Sequence, residues 1–329
     1  MSKDTHHNSD SHADHPYHLV DPSPWPALGA VSLLSLTMGG AMFMHGKPGG
    51  LALLLIGLAV VLYTMFVWWR DVIKEGITDK AHTYKVRTGL RLGMALFIVS
   101  EVLFFAAFFW SFFNASTLPR LPMADDLWKI ADGTWPPAGI VPFDPMHLPF
   151  LNTLILLLSG TTVTWAHYAI LNKDQKSAVT ALYYTVALGV SFTALQVYEY
   201  THAAFGFKDG VYASNFYMAT GFHGFHVLVG TIFLAICLIR AKKNQFTPEH
   251  HLGFEFAAWY WHFVDVVWLF LFLFVYLDFA NVAMPALTTI FTGTNMLIAF
   301  LLSLVGAVFV AYRILENNKA TPKPKVRHH

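Results

Sequence analysis

Apolar residues gather into eight long runs, at about residues 28–45, 51–69, 92–113, 148–171, 178–200, 215–239, 256–278 and 293–312. A helix needs about 20 apolar residues to cross the hydrocarbon core of a bilayer, so each run predicts a transmembrane helix. Most intervening stretches are short, which favours neighbouring antiparallel helices. The exception is 114–147, rich in Pro, Asp and Trp, and loops of that length tend to be functional. The last run has fewer aromatics and a stripe of Ser303, Ala307 and Ala311 at four-residue spacing, which lets one helix pack closely on another. The predicted organisation is a polar, His-rich tail over 1–27, a transmembrane bundle over 28–280, an extra transmembrane segment over 281–313 and a basic tail over 314–329.

Composition agrees: 55% of residues are hydrophobic and 12% charged, against roughly 25% charged in a soluble domain. The fold class is all-α integral membrane, with the bilayer replacing the single large core of a soluble chain. No apolar h-region beside a small-residue cleavage site is evident in 1–27. Placing the N-terminus inside puts 17 of the 21 Lys and Arg residues on the inner side and leaves Lys47, Arg120, Lys129 and Lys208 outside. That asymmetry predicts both termini on the cytoplasmic or matrix face. A net charge of +1 argues against nucleic-acid binding, and the lone Cys237 excludes an intramolecular disulfide.

Ionisable residues within or at the ends of the apolar runs are Glu101, His167, Glu199, His202, His223, His226, His262, Asp265 and Asp278. Each marks a functional site or a buried polar contact, because such groups are expensive in hydrocarbon. His223 and His226 share a helix face, as do His262 and Asp265. A metal or haem site, plain interhelical hydrogen bonding, and a proton or lipid role all remain open for this set; no HExxH or Cys-based motif favours metal. Glu101, in FIVSEVLFF (97–105), is expected to be a protonated acid bonded to a neighbouring helix, with His226 a suitable partner. Trp68, Trp69, Arg70 and Asp71 at one helix end, and Arg240, Lys242 and Lys243 at another, read either as interfacial anchors or as a basic inner rim for phospholipid headgroups.

Several long pieces of the chain carry a resemblance: HPYHLVDPSPWP (15–26), WWRDVIKEG (68–76), GLRLGMALFIVSEVLFFAAFFWSFF (89–113), WPPAGI (135–140), LNTLILLLSG (151–160), VTWAH (163–167), DGVYASNFYMATGFHGFHVLVG (209–230) and HHLGFEFAAWYWHFVDVVWLFLF (250–272). Together they resemble subunit III of cytochrome c oxidase, the haem–copper oxidase of aa3 type. The resemblance implies seven helices in two groups around a V-shaped cleft that holds structural phospholipids, beside catalytic subunit I and with subunit II in the same complex. It implies no cofactor in this chain, with haem a, haem a3 and copper in the partner subunits, and contact with cytochrome c only through the complex. The implied role is accessory: supporting proton uptake and stability of the enzyme that reduces O2 to water and pumps protons.

Residue by residue, the resemblance makes Glu101 the family's intramembrane carboxyl and His226 its partner. It places Trp68, Trp69, Glu75, His82, Arg240 and Lys243 around lipid headgroups. Lys74 stands where the family often has Arg, keeping the charge without the planar fork. The loop 118–134 is longer than in the compact animal-mitochondrial form, which points to a bacterial inner membrane, with the mitochondrial inner membrane as the alternative. The segment after Asp278 departs from the short family type and predicts an eighth helix. Alternatives are subunit III of a quinol oxidase, a membrane-embedded metal-dependent oxidoreductase using His223, His226 and His262, and a proton-coupled transporter.

Overall fold

The computed structural model describes residues 22–77, 81–117 and 135–277. The predicted eighth run, the loop 118–134, most of the N-terminal tail, the basic C-terminal tail and Asp278 lie outside the described residues. Within them, seven helices are long and apolar enough to cross a membrane. They are α1 (Trp25–Met44), α2 (Gly50–Ile77), α3 (Tyr84–Thr117), α4 (Leu148–Leu171), α5 (Gln175–Thr201), α6 (Val211–Lys242) and α7 (Leu252–Leu271), the last continuing into a π-helical turn, Phe272–Tyr276.

Several helices outrun the apolar runs that predict them. The run in α2 stops at Trp69, yet the helix continues to Ile77, and α3 begins at Tyr84 rather than near Leu92. At 28 residues and a rise of about 1.5 Å per residue, α2 exceeds the roughly 30 Å hydrocarbon thickness. Its final turns carry Arg70, Asp71, Lys74 and Glu75. Side-chain polarity changes at the membrane surface, whereas the backbone hydrogen-bond ladder does not.

The chain divides into two compact units, the boundary falling inside α3 between Leu90 and Arg91. In the first unit, α1 and α2 form an antiparallel hairpin whose backbones touch. A methyl group built on Gly57 would lie 2.5 Å from the Leu36 nitrogen, one on Gly50 would lie 2.5 Å from the Phe43 nitrogen, and one on Gly39 would collide with the Leu54 nitrogen. Small residues permit such approach where lipid offers no hydrophobic drive for helix association. The turn uses Gly46 and Gly49 at φ 63° and 79°, a region that glycine occupies without strain. At the far end of the hairpin, Trp25 Nε1 donates to Asp71 Oδ2 at 2.8 Å, tying the start of α1 to the end of α2.

In the second unit α4 packs on α5 and α7, α5 on α6, and α6 on α7. The centre is Trp261 of α7, fully buried. Its ring edges fill the space above two glycines: a methyl on Gly189 (α5) would lie 2.8 Å from Trp261 Cη2, and one on Gly230 (α6) 2.8 Å from Cε3. Its Nε1 donates to Ser159 Oγ (α4) at 2.8 Å, so one indole joins four helices. The membrane part of α3 joins this unit through large rings instead, Phe104 against Phe222, Phe105 against Phe263, Phe109 against Phe270 and Phe113 against Phe274.

Candidate functional site

Glu101 lies midway along α3, within an aromatic seam. Its Oε2 is 2.9 Å from His226 Nε2 on α6. The other imidazole nitrogen, Nδ1, is 2.7 Å from the Phe222 carbonyl oxygen, one turn back on the same helix. A carbonyl only accepts, so Nδ1 carries hydrogen and the tautomer is set. The bond between His226 and Glu101 then holds a single proton, as acid with neutral imidazole or as carboxylate with imidazolium. Either form is neutral overall. Phe104, Phe105, Phe225, Tyr260 and Phe263 surround the imidazole, which keeps competing water away and makes a net charge there costly.

The remaining candidates fall into separate groups. His223 is completely buried between Phe192 and Trp268, and its Nε2 lies 3.2 Å from the Val264 carbonyl. His262 faces Thr164 Oγ1 at 3.3 Å through Nε2 and Asp265 Oδ2 at 3.7 Å through Nδ1. At the start of α7, His167 and His251 bring their Nε2 atoms within 3.4 Å, and Glu255 receives Arg91 in a two-pronged contact with closest approach 2.9 Å. His202 stacks on Tyr198 at the end of α5 with a centroid distance of 4.1 Å. Among the described residues no three His, Cys, Asp or Glu side chains gather as metal ligands would. His223, His226 and His262 contact three different sets of neighbours.

Glu199 of α5 is more deeply buried than His226. Its Oε1 accepts from Tyr276 Oη at 2.6 Å and from Gln196 Nε2 at 3.2 Å. Sequence reasoning singles out Glu199 but neither Gln196 nor Tyr276, because an uncharged amide or phenol inside an apolar run draws no attention. The Arg91–Glu255 and Trp25–Asp71 links are also missed; each joins segments far apart in sequence.

The residues assigned to lipid headgroups divide between the units. In the first, Trp68 and Trp69 are exposed and His82 sits against Gly76, the neighbour of Glu75. In the second, Arg240 lies 4.6 Å from the Phe246 ring centroid and donates from Nε to Gln245 Oε1 at 3.2 Å. No carboxylate among the described residues forms an ion pair with it. Lys243 follows as the residue that caps α6 at its C-terminal end.

Seven helices among the described residues that are long and apolar enough to cross a membrane, with an acid on α3 paired to an imidazole on α6, define a polytopic membrane protein. The family follows from comparison. The family model for cytochrome c oxidase subunit III matches residues 15–279, and the chain belongs to that family. It is 58% identical to "Probable cytochrome c oxidase subunit 3" of Rickettsia felis over 275 residues, 82% of this chain and 99% of that protein. It is 57% identical to cytochrome c oxidase subunit 3 of Marchantia polymorpha and 56% to that of Arabidopsis thaliana, each over 262 residues, 80% of this chain and 96% of the relative.

Proposed function

We propose that this chain is the accessory subunit III of a proton-pumping cytochrome c oxidase of aa3 type, itself without a redox centre, in a bacterial inner membrane with both termini inside. It sits beside subunit I, with subunit II in the same complex, and the haems and copper belong to those partners. The observation that carries this reading is the Glu101–His226 bond. It is a single-proton contact held in an aromatic interior, in a chain whose family is that of the oxidase. Such a pair holds a partly buried carboxyl without net charge and ties α3 to α6. Support for the partner's proton uptake is structural and electrostatic, exerted through the bundle.

Phospholipids complete the assembly. Arg240 presents a guanidinium that packs on Phe246, meets one amide oxygen and lacks a carboxylate partner among the described residues, an arrangement suited to a phosphate oxygen. Trp68, Trp69, Glu75, His82 and Lys243 serve headgroup positions. Native mass spectrometry of the Arg240→Ala complex should show fewer retained phospholipids; unchanged retention removes the assignment.

The deciding experiment for the function is a mild-detergent purification through a tag on this chain, with partner identification and a reduced-minus-oxidised spectrum. Haem a and copper arriving with two larger subunits, and staying with those subunits when this chain is stripped away, support the proposal. A chain that comes alone with its own stoichiometric metal overturns it.

A further inference from the structure

Glu199, Gln196 and Asn152 are buried side chains, 2%, 3% and 0% exposed, that leave polar atoms unsatisfied. Glu199 Oε2, Gln196 Oε1, and both Asn152 Nδ2 and Oδ1 have no hydrogen-bond partner among the described residues. Buried polar atoms are nearly always paired, with protein or with ordered water. Four such atoms on three residues require a common explanation.

The helix register sets Asn152 and Gln196 at about one level, with Glu199 close to one turn further along α5. Glu199 and Gln196 belong to the buried stripe of α5 that also includes Thr185, Gly189 and Phe192, while Asn152 shares a buried stripe of α4 with Leu156, Ser159 and Val163. The antiparallel helices touch where Thr162 Oγ1 meets Thr185 Oγ1 at 2.8 Å. Ten residues from that contact toward the start of α4 is Asn152, and ten residues toward the end of α5 is Leu195, beside Gln196. From α7, Trp268 Nε1 donates to Thr153 Oγ1 at 2.9 Å; from the π-helical turn after it, Tyr276 Oη donates to Glu199 Oε1 at 2.6 Å, and the Trp268 and Tyr276 rings meet at 5.6 Å. Phe192 of α5 and Trp268 pack edge to face beside them with ring centroids 4.8 Å apart.

Three of the four unmet atoms are acceptors and one is a donor. The acceptors cannot satisfy one another. A proton on Glu199 Oε2 would serve only one of the two amide oxygens. The nearby hydroxyls are already committed: Tyr276 Oη donates to Glu199 Oε1, and Tyr200 Oη to Thr220 Oγ1 at 2.9 Å. A water molecule supplies two donors and accepts from an amide, the complement this set lacks, and buried waters typically make about three such bonds.

We infer that Asn152, Gln196 and Glu199 form a water-binding site inside the α4–α5–α7 core, making Glu199 the acid of a second buried polar centre on different helices from the Glu101–His226 pair. Polar groups at membrane depth are tolerated where protein encloses them together with water.

The test is a high-resolution cryo-electron microscopy map of the full chain together with everything that co-purifies with it. A peak within hydrogen-bond distance of Glu199 Oε2 and at least one of the amide side chains is the expected result. An empty position, direct bonding among the three side chains, another side chain occupying the space, or a peak with cation coordination distances overturns the inference. Infrared spectra of the same preparation in H2(18)O give a second readout. An isotope-shifted internal-water band should move or vanish in Asn152→Leu and in the gentler Glu199→Gln. Identical water bands in wild type and in these folded variants also overturn the inference.

Discussion

Trp261 Nε1 donates to Ser159 Oγ at 2.8 Å, while the same indole covers Gly189 and Gly230 on two other helices. Because three helices meet on one rigid ring, space at the glycines matters more than the hydrogen bond. A methyl on Gly189 would also lie 2.6 Å from Thr231 Oγ1. We expect Gly189→Val to destabilise the purified protein by about 1–3 kcal/mol, the usual range for overpacking, seen as a lower thermal midpoint in a fixed detergent. Gly221 faces open space, and Gly221→Ala should match wild type or exceed it slightly. Equal losses at both glycines would contradict this account.

The Glu101–His226 bond separates charge from hydrogen bonding. In Glu101→Gln an amide N–H can donate to His226 Nε2, preserving the contact without an ionisable group. Glu101→Ala leaves the imidazole nitrogen unpaired among Phe104, Phe105 and Phe263. Interhelical hydrogen bonds in membranes contribute about 0.6–2 kcal/mol, so Glu101→Ala should lose stability on that order and Glu101→Gln markedly less. Thermal midpoints of the two variants compared side by side decide it, and an equal loss in both would show that ionisation matters more than the bond.

The legibility of this site follows from chemistry. Glu101 is visible in the sequence because a carboxylate inside FIVSEVLFF violates the apolar pattern. The spacing of His223 and His226 places both on one helix face, yet a three-residue step still turns about 60° around the axis. That turn is enough to aim His223 at α7 and His226 at α3. The helices themselves are legible as apolar runs, but their ends are not, since α2 and α3 continue into polar residues. Gln196, Tyr276 and Asn152 carry no formal charge and pass as ordinary members of their runs. Arg91 and Glu255, 164 residues apart, meet through tertiary packing that no local pattern encodes.

Asp174 provides a pH-dependent contribution outside the membrane-spanning segments. It caps α5, accepting from the Ser177 backbone N–H at 3.0 Å, and the hydrogen bonding from Ser177 holds its carboxyl below the ordinary value of 3.8. A folded-state value below the unfolded one means the cap stabilises above the unfolded value and fades as pH falls through the folded one. Asp174→Ala should lower the thermal midpoint at pH 7, and the gap to wild type should narrow only as the pH drops below about 4. Asp174→Asn retains an acceptor oxygen and does not titrate, so its loss at pH 7 should be smaller than that of Asp174→Ala and should also shrink as Asp174 of the wild type protonates. A gap that closes between pH 5 and 7 would implicate another group.

Arg91 meets both carboxylate oxygens of Glu255, Nε at 3.1 and 3.2 Å and one terminal nitrogen at 2.9 Å, with side-chain exposures of 27% and 14%. Both partners are largely withdrawn from solvent, so removing one strands the other. Arg91→Ala should cost about 3 kcal/mol, the lower end for breaking a buried ion pair. Arg91→Lys should fall between, because an ammonium keeps the charge but cannot match the planar fork. The double variant Arg91→Leu/Glu255→Leu should be more stable than Arg91→Leu alone, since no unpaired charge remains. A double-mutant cycle on thermal midpoints measures this coupling. Strictly additive losses would mean that the two charges are separately solvated and that α3 and α7 are joined by the aromatic seam alone.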